Sequence, residues 1–113
     1  MIKLLSLLTR KQGITHAEFV RHWFDVHGPL AEHVPGIRRY VQSHITDSRS
    51  RPDIPDTDVE VDGIAELWYD SLESFERASK TSEMKALTDD GALFIGRIKT
   101  YLIEERQIIP LPD

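Results

Sequence analysis

Ile2-Lys3-Leu4-Leu5-Ser6-Leu7-Leu8-Thr9 is the stretch on which the fold turns. Side chains alternate along a strand, so Ile2, Leu4 and Leu8 lie on one face while Leu5 and Leu7 lie on the other. A strand that is apolar on both faces needs cover above and below. Outward from it, Lys11-Gln12-Gly13 breaks the run, and Thr15-His16-Ala17-Glu18 reads as a capping box that opens a helix. Phe19, Trp23, Val26 and Leu30 fall within an arc of about 60° on a wheel of 100° per residue. Gly28-Pro29 is expected to end the regular helix, because proline disfavours helical geometry in the residue before it.

After the turn at Pro35-Gly36, residues 37–45 read as a second strand centred on Tyr40-Val41. Residues 46–62, punctuated by Arg and Pro and rich in acids, read as a long solvated connection. Gly63-Ile-Ala-Glu-Leu-Trp-Tyr69 is the third strand, and Asp70-Ser71-Leu72-Glu73 caps a second helix with Leu72, Phe75 and Ala78 on one face. That helix is expected to loosen at residues 80–82 and to add a turn or two over 83–87. Residues 97–105 form the fourth strand, ahead of the tail Ile108-Ile109-Pro110-Leu111-Pro112-Asp113. The order βαββαβ predicts a ferredoxin-like α+β protomer, an antiparallel four-stranded sheet with two helices on one face. The uncovered face still carries Leu and Ile, each costing about 1.5–3 kcal/mol if left wet. A homodimer packing sheet on sheet removes that cost.

The composition agrees with one domain over residues 1–113: 40% hydrophobic and 29% charged residues suit a globular chain. Fourteen basic against nineteen acidic residues give a net charge of −5, which argues against a nucleic-acid or anionic-membrane surface. With no cysteine, thiol nucleophiles and Cys-based zinc sites are excluded. No apolar run approaches the roughly 20 residues that cross a bilayer, and the apolar N-terminus lacks a small-residue cleavage site. A cytoplasmic protein is the expectation.

Four of the five histidines lie between residues 16 and 33. His22 and His27 both sit where the apolar stripe of the first helix meets its edge, the place from which a side chain reaches a pocket. Their spacing of five splays the rings by about 140° on a regular α-helix, unlike the three- or four-residue spacing of helical metal ligands. Neither a metal nor a glycine-rich phosphate loop is indicated. His27 is read either as a cap on the last helical carbonyls or as an acid–base group. His16 and His33 read as surface residues. Tyr40, Gln42 and His44 share one strand face, a polar file that suits either a pocket wall or an exposed face. Glu66 shares its face with Ile64 and Trp68, and is either edge-exposed or paired with a buried donor.

The segment Phe19-Val-Arg-His-Trp23-Phe-Asp-Val-His27-Gly-Pro-Leu30, followed by Pro35-Gly36 and Tyr40, resembles the EthD-like family of dimeric α/β-barrel proteins. Gly63-Ile-Ala-Glu66-Leu-Trp68 and Asp70-Ser-Leu-Glu-Ser-Phe75 extend the resemblance, which covers roughly residues 2–105. It implies a protomer whose sheet packs on its mate's. The family takes its name from a protein encoded beside a haem monooxygenase system for ether degradation. Relatives include cofactor-free cyclases, dehydratases, isomerases and oxygenases of polyketides and lactones. In its lactone isomerases a histidine at the end of the first helix acts in the pocket, which matches His27, and several relatives put a pocket tyrosine where Tyr40 stands.

These lines converge on a homodimeric enzyme without metal or cofactor, acting on a small hydrophobic or aromatic cyclic molecule. Its apolar pocket is expected between the sheet and the first helix, lined by Phe19, Trp23, Trp68 and His44. His27 is the expected acid–base group, Tyr40 the hydrogen-bond donor to developing negative charge, and His22 or Glu66 the group that orients the base. The rival from another class is a non-catalytic binding protein that accompanies an oxidative degradation system; a third reading, cofactor-free oxygenation of a substrate carbanion, needs the same base and an oxygen-accessible pocket.

Overall fold

The computed structural model describes residues 1–112. Four strands, β1 (Ile2–Arg10), β2 (Arg39–His44), β3 (Gly63–Tyr69) and β4 (Ile95–Ile103), form one antiparallel sheet in the order β2-β3-β1-β4. That is the ferredoxin-like arrangement predicted from the element order. Leu-rich β1 and β3 take the two central places, and both are apolar on both sides. Leu4, Ser6 and Leu8 pair with Leu67, Ala65 and Gly63 on β3 and with Leu102, Thr100 and Ile98 on β4, which fixes one face.

Every helix covers that face. The first helical segment runs without a break through α1 (His16–His22), a π-helical stretch (Trp23–His27) and α2 (Gly28–Ala31). The capping box at its start is present: the Glu18 amide donates to Thr15 Oγ1 at 3.1 Å, and the Thr15 amide to Glu18 Oε1 at 3.4 Å. Contrary to expectation, Gly28-Pro29 does not end the helix. Gly28 stays helical at φ −53° and ψ −50°, and the π turn opens the backbone ladder just ahead of the proline. Pro29 has no N–H to give an α-helical ladder and its ring crowds the carbonyl four residues back, so a widened turn accommodates it.

The second half also departs from a two-helix scheme. α3 (Leu72–Ala78) stops, and a new helix, α4 (Ser82–Phe94), starts on the Thr81 side chain, which accepts from the Met84 amide at 3.2 Å. α4 runs well past Leu87, and β4 follows it directly at Ile95 rather than at Arg97.

Burial falls into two packed groups beneath the helices. Leu8, Phe19, Trp23, Ala65 and Phe94 form one; Ala31, Val34, Tyr69, Ala78 and Leu87 form the other. Gly63 is required in the first, because a Cβ there would lie 2.7 Å from Trp23 Cη2. The opposite sheet face carries Leu5, Leu7, Val41 and Ile64 with no layer over them. The connection over residues 46–62 is exposed, as expected, apart from its end. There the buried Asp62 carboxylate accepts from the Arg10 amide and guanidinium, both at 2.7 Å, and from His16 Nδ1 at 2.8 Å.

Candidate active site

The π turn overturns one inference from spacing. Residues five apart splay on an α-helix, but π-helical hydrogen bonds run from i to i+5 and stack such residues one above the other. The Gly28 amide accordingly donates to the Trp23 carbonyl. That carbonyl also accepts from Gln42 Nε2 at 2.8 Å, so β2 pins the widened turn. His22 precedes the π turn and His27 closes it, and both rings reach the same group.

That group is Asp90, on the inner face of α4. His27 Nδ1 lies 2.8 Å from Oδ2, while His22 Nε2 lies 3.0 and 3.1 Å from Oδ1 and Oδ2. Asp90 is 9% exposed, and a carboxylate this buried is tolerable because both oxygens accept hydrogen bonds. An ionised carboxylate only accepts, so the proton on His27 sits on Nδ1 and the neutral ring keeps its lone pair on Nε2. Among the described residues Nε2 has no partner, and no fully buried side-chain nitrogen or oxygen is left unpaired. Nε2 is therefore open to the space beside it. The His27 side chain is only 11% exposed. Burial pushes its pKa below the ordinary histidine value; the Asp90 carboxylate pulls upward without overcoming that, and a charge on His22 adds to the depression. The ring is thus neutral and able to take a proton at pH 7. Phe94 packs against both imidazoles, at 4.6 Å from His22 and 5.1 Å from His27 between ring centroids.

His27 opens into a cavity of about 430 Å³ between α4 and the sheet. Its other walls include Leu4, Leu67, Tyr69, Leu87 and Ile98, and no Asp, Glu, Lys or Arg side chain among the described residues lines it. The cavity thus lies on the α4 side of the first helical segment. None of residues 46–62 lines it. No group of three or more His, Cys, Asp or Glu side chains among the described residues is arranged to hold a metal ion.

The other candidates are distributed elsewhere. Phe19 and Trp23 are 0% and 1% exposed and belong to the core, so neither lines the cavity as expected. Tyr40, Gln42 and His44 do form a polar file on the helix-covered face, but they line a second groove of about 860 Å³ along β2. There Gln42 Nε2 donates to the Tyr40 hydroxyl at 2.9 Å, His44 Nε2 donates to Gln42 Oε1 at 2.8 Å, and His44 stacks on Trp23. Burial raises the Tyr40 pKa against the opposing pull of that hydrogen bond. Glu66 and Trp68 lie on the uncovered face, where Glu66 pairs with Lys3 and the Trp68 ring is flanked by Lys3 and Arg39 at 5.0 and 4.8 Å. Glu66 therefore does not orient His27; Asp90 does. Sequence reading missed Asp90 because α4 was expected to end before it. The available signal was its spacing, three residues after Leu87 and four before Phe94, which puts an acid on a buried helix face.

A family model for the EthD domain matches residues 11–98. The chain belongs to the EthD family. This EthD-family chain is 28% identical over 106 residues to the 4-carboxymethyl-4-methylbutenolide mutase of Pseudomonas reinekei, with 93% of this chain and 98% of that protein covered. Among solved structures it is similar to an EthD family protein of Bacillus halodurans, with a TM-score of 0.74 and 29% identity over 94% of this chain and 99% of that one. A dimeric ferredoxin-like protein of unknown function from Thermobifida fusca shares the fold, with a TM-score of 0.66 at 13% identity over 90% and 88% of the two chains.

Proposed function

We propose that this EthD-family protein is an acid–base enzyme that needs no cofactor and acts on a small cyclic carbonyl compound of the lactone type. The observation that carries this reading is the free Nε2 of His27, facing an apolar cavity while Nδ1 is held by a buried carboxylate. Nε2 removes a proton from carbon beside the carbonyl, and the C–H electron pair moves into an enolate. The imidazolium then returns the proton to a different atom of the ring, so no oxidant or reductant is consumed. Asp90 holds the tautomer and offsets the positive charge that develops on the ring, and His22 holds Asp90. Such proton transfer contributes about 10²–10⁴-fold to rate. The butenolide mutase relative supports the lactone class, since its named substrate is a butenolide and a mutase rearranges one molecule without an electron donor.

The direct test follows carbon-bound hydrogen in deuterated buffer by ¹H NMR, with five-membered unsaturated lactones as probes. Wild-type protein is expected to accelerate exchange, and His27→Ala to abolish it with the fold intact. Binding of the lactones without any exchange in the wild type would instead support the binding-protein role.

We infer further that the protein is a homodimer in the cytoplasm. Leu5, Leu7, Val41 and Ile64 on the uncovered face support a sheet-on-sheet pair, as does the dimeric state of the Thermobifida fusca relative.

A further inference from the structure

We propose that the His27 cavity takes an uncharged ligand, and that the Tyr69 hydroxyl donates the hydrogen bond that holds the ligand's carbonyl. This rests on the reading of the cavity as a lactone site, adds the residue that orients the ligand, and departs in charge class from the butenolide mutase relative, whose named substrate carries a carboxymethyl group.

Two observations carry the proposal. Tyr69 is 1% exposed at the end of β3, on the helix-covered face, and lines the same cavity as His27. Its hydroxyl has no hydrogen-bond partner among the described residues, although no fully buried side-chain oxygen or nitrogen is left unpaired. The hydroxyl therefore keeps some of the little surface that Tyr69 has, on a residue that lines the cavity. A buried tyrosine ordinarily finds a partner for its O–H, and here the partner is a ligand. Burial pushes the Tyr69 pKa up to about 12, so the group stays a donor at neutral pH. An acceptor nitrogen on His27 and a donor oxygen on Tyr69 in one apolar space suit a molecule that offers an acidic C–H and a carbonyl.

The second observation is the lining itself. No arginine or lysine faces the cavity. Two cations on or beside α4 are already engaged: Lys11 Nζ donates to the Ala92 carbonyl at 3.2 Å, and Lys85 pairs with Asp89 at 2.6 Å. Arg97 and Lys99 alternate onto the opposite face of β4 from Ile98 and Thr100. The remaining polar groups are hydroxyls, with Ser6 and Thr100 bonded to each other at 2.8 Å. A carboxylate placed against these walls would shed part of its hydration and meet no cation in return.

The test uses three probes of one shape, followed by amide chemical shifts of Thr88, Gly91 and Thr100 in the intact protein: coumarin, coumarin-3-carboxylate and its ethyl ester. Coumarin and the ester are expected to bind, and the carboxylate at least about a hundredfold more weakly than the ester. Tyr69→Phe should weaken coumarin about five- to tenfold without changing the fold, since the phenyl ring keeps the packing. Carboxylate binding as tight as the ester overturns the charge assignment. Unchanged coumarin affinity in Tyr69→Phe overturns the role of the hydroxyl. If none of the three binds, this proposal fails together with the lactone reading, whereas binding that favours the carboxylate leaves the lactone reading standing.

Discussion

Replacing Asp90 by Asn tests whether one buried carboxylate sets the state of His27. The substitution keeps the shape but removes the charge and turns one acceptor oxygen into a donor. Asp90 accepts from two imidazoles, and hydrogen bonds to a charged acceptor contribute about 1.5–3 kcal/mol each. The amide oxygen still accepts from one ring and recovers about 1 kcal/mol. His22 is partly exposed, which puts the loss at the lower end, about 2–4 kcal/mol. For a chain of this length that lowers Tm by roughly 8–15 °C. The spectroscopic consequence is more specific than the loss of stability. In the wild type, ¹⁵N-edited spectra should show neutral His27 protonated at Nδ1, titrating below the ordinary histidine value. In Asp90→Asn the upward pull of the carboxylate is gone, so the midpoint should fall further. Wild-type His27 protonated at Nε2, or a titration unmoved by Asp90→Asn, would refute the argument.

His27 also makes stability depend on pH. Its folded pKa lies below the unfolded value of about 6.5, so between the two the unfolded chain binds more protons. Stability should therefore rise with pH across that window, and the urea midpoint of His27→Gln should rise less steeply there. Gly63→Ala drives a methyl group into the buried Trp23 ring and should destabilise by about 3 kcal/mol or more, read as a lowered urea midpoint at constant slope. Leu7→Asp, on the uncovered face, should give a monomer in light scattering while leaving the helical circular dichroism unchanged; a persistent dimer would place the interface elsewhere.

The strand pattern was legible because period-2 alternation is a local property: β1, β2 and β3 follow from their own residues, and so does the capping box at Thr15 and Glu18. Which side of the sheet a residue occupies is not local. Glu66 shares a face with Trp68, as parity requires, but only the pairing of Leu5 with Glu66 puts both on the uncovered side. The passage of the helix through Gly28-Pro29 escaped because a proline rule describes a regular α-helix and not one that has already widened. Asp90 escaped because an acid beside another acid and before a glycine looks like a helix end. Only the two imidazoles, brought in from another element, make its burial tolerable. His27 itself was legible from its place at the edge of an apolar stripe, and its partner was not.

The widened turn has a consequence for how relatives of this chain are compared. A π turn holds one residue more than the α turn it replaces, so the five-residue step from His22 to His27 does the work of a four-residue step on a plain helix. A chain that lacked one residue between Trp23 and His27, and carried no proline at position 29, would present the same pair of rings to the same carboxylate. Histidine spacing counted along the sequence is therefore a poor guide to histidine spacing in space wherever a Gly-Pro step follows, as Gly28-Pro29 does here.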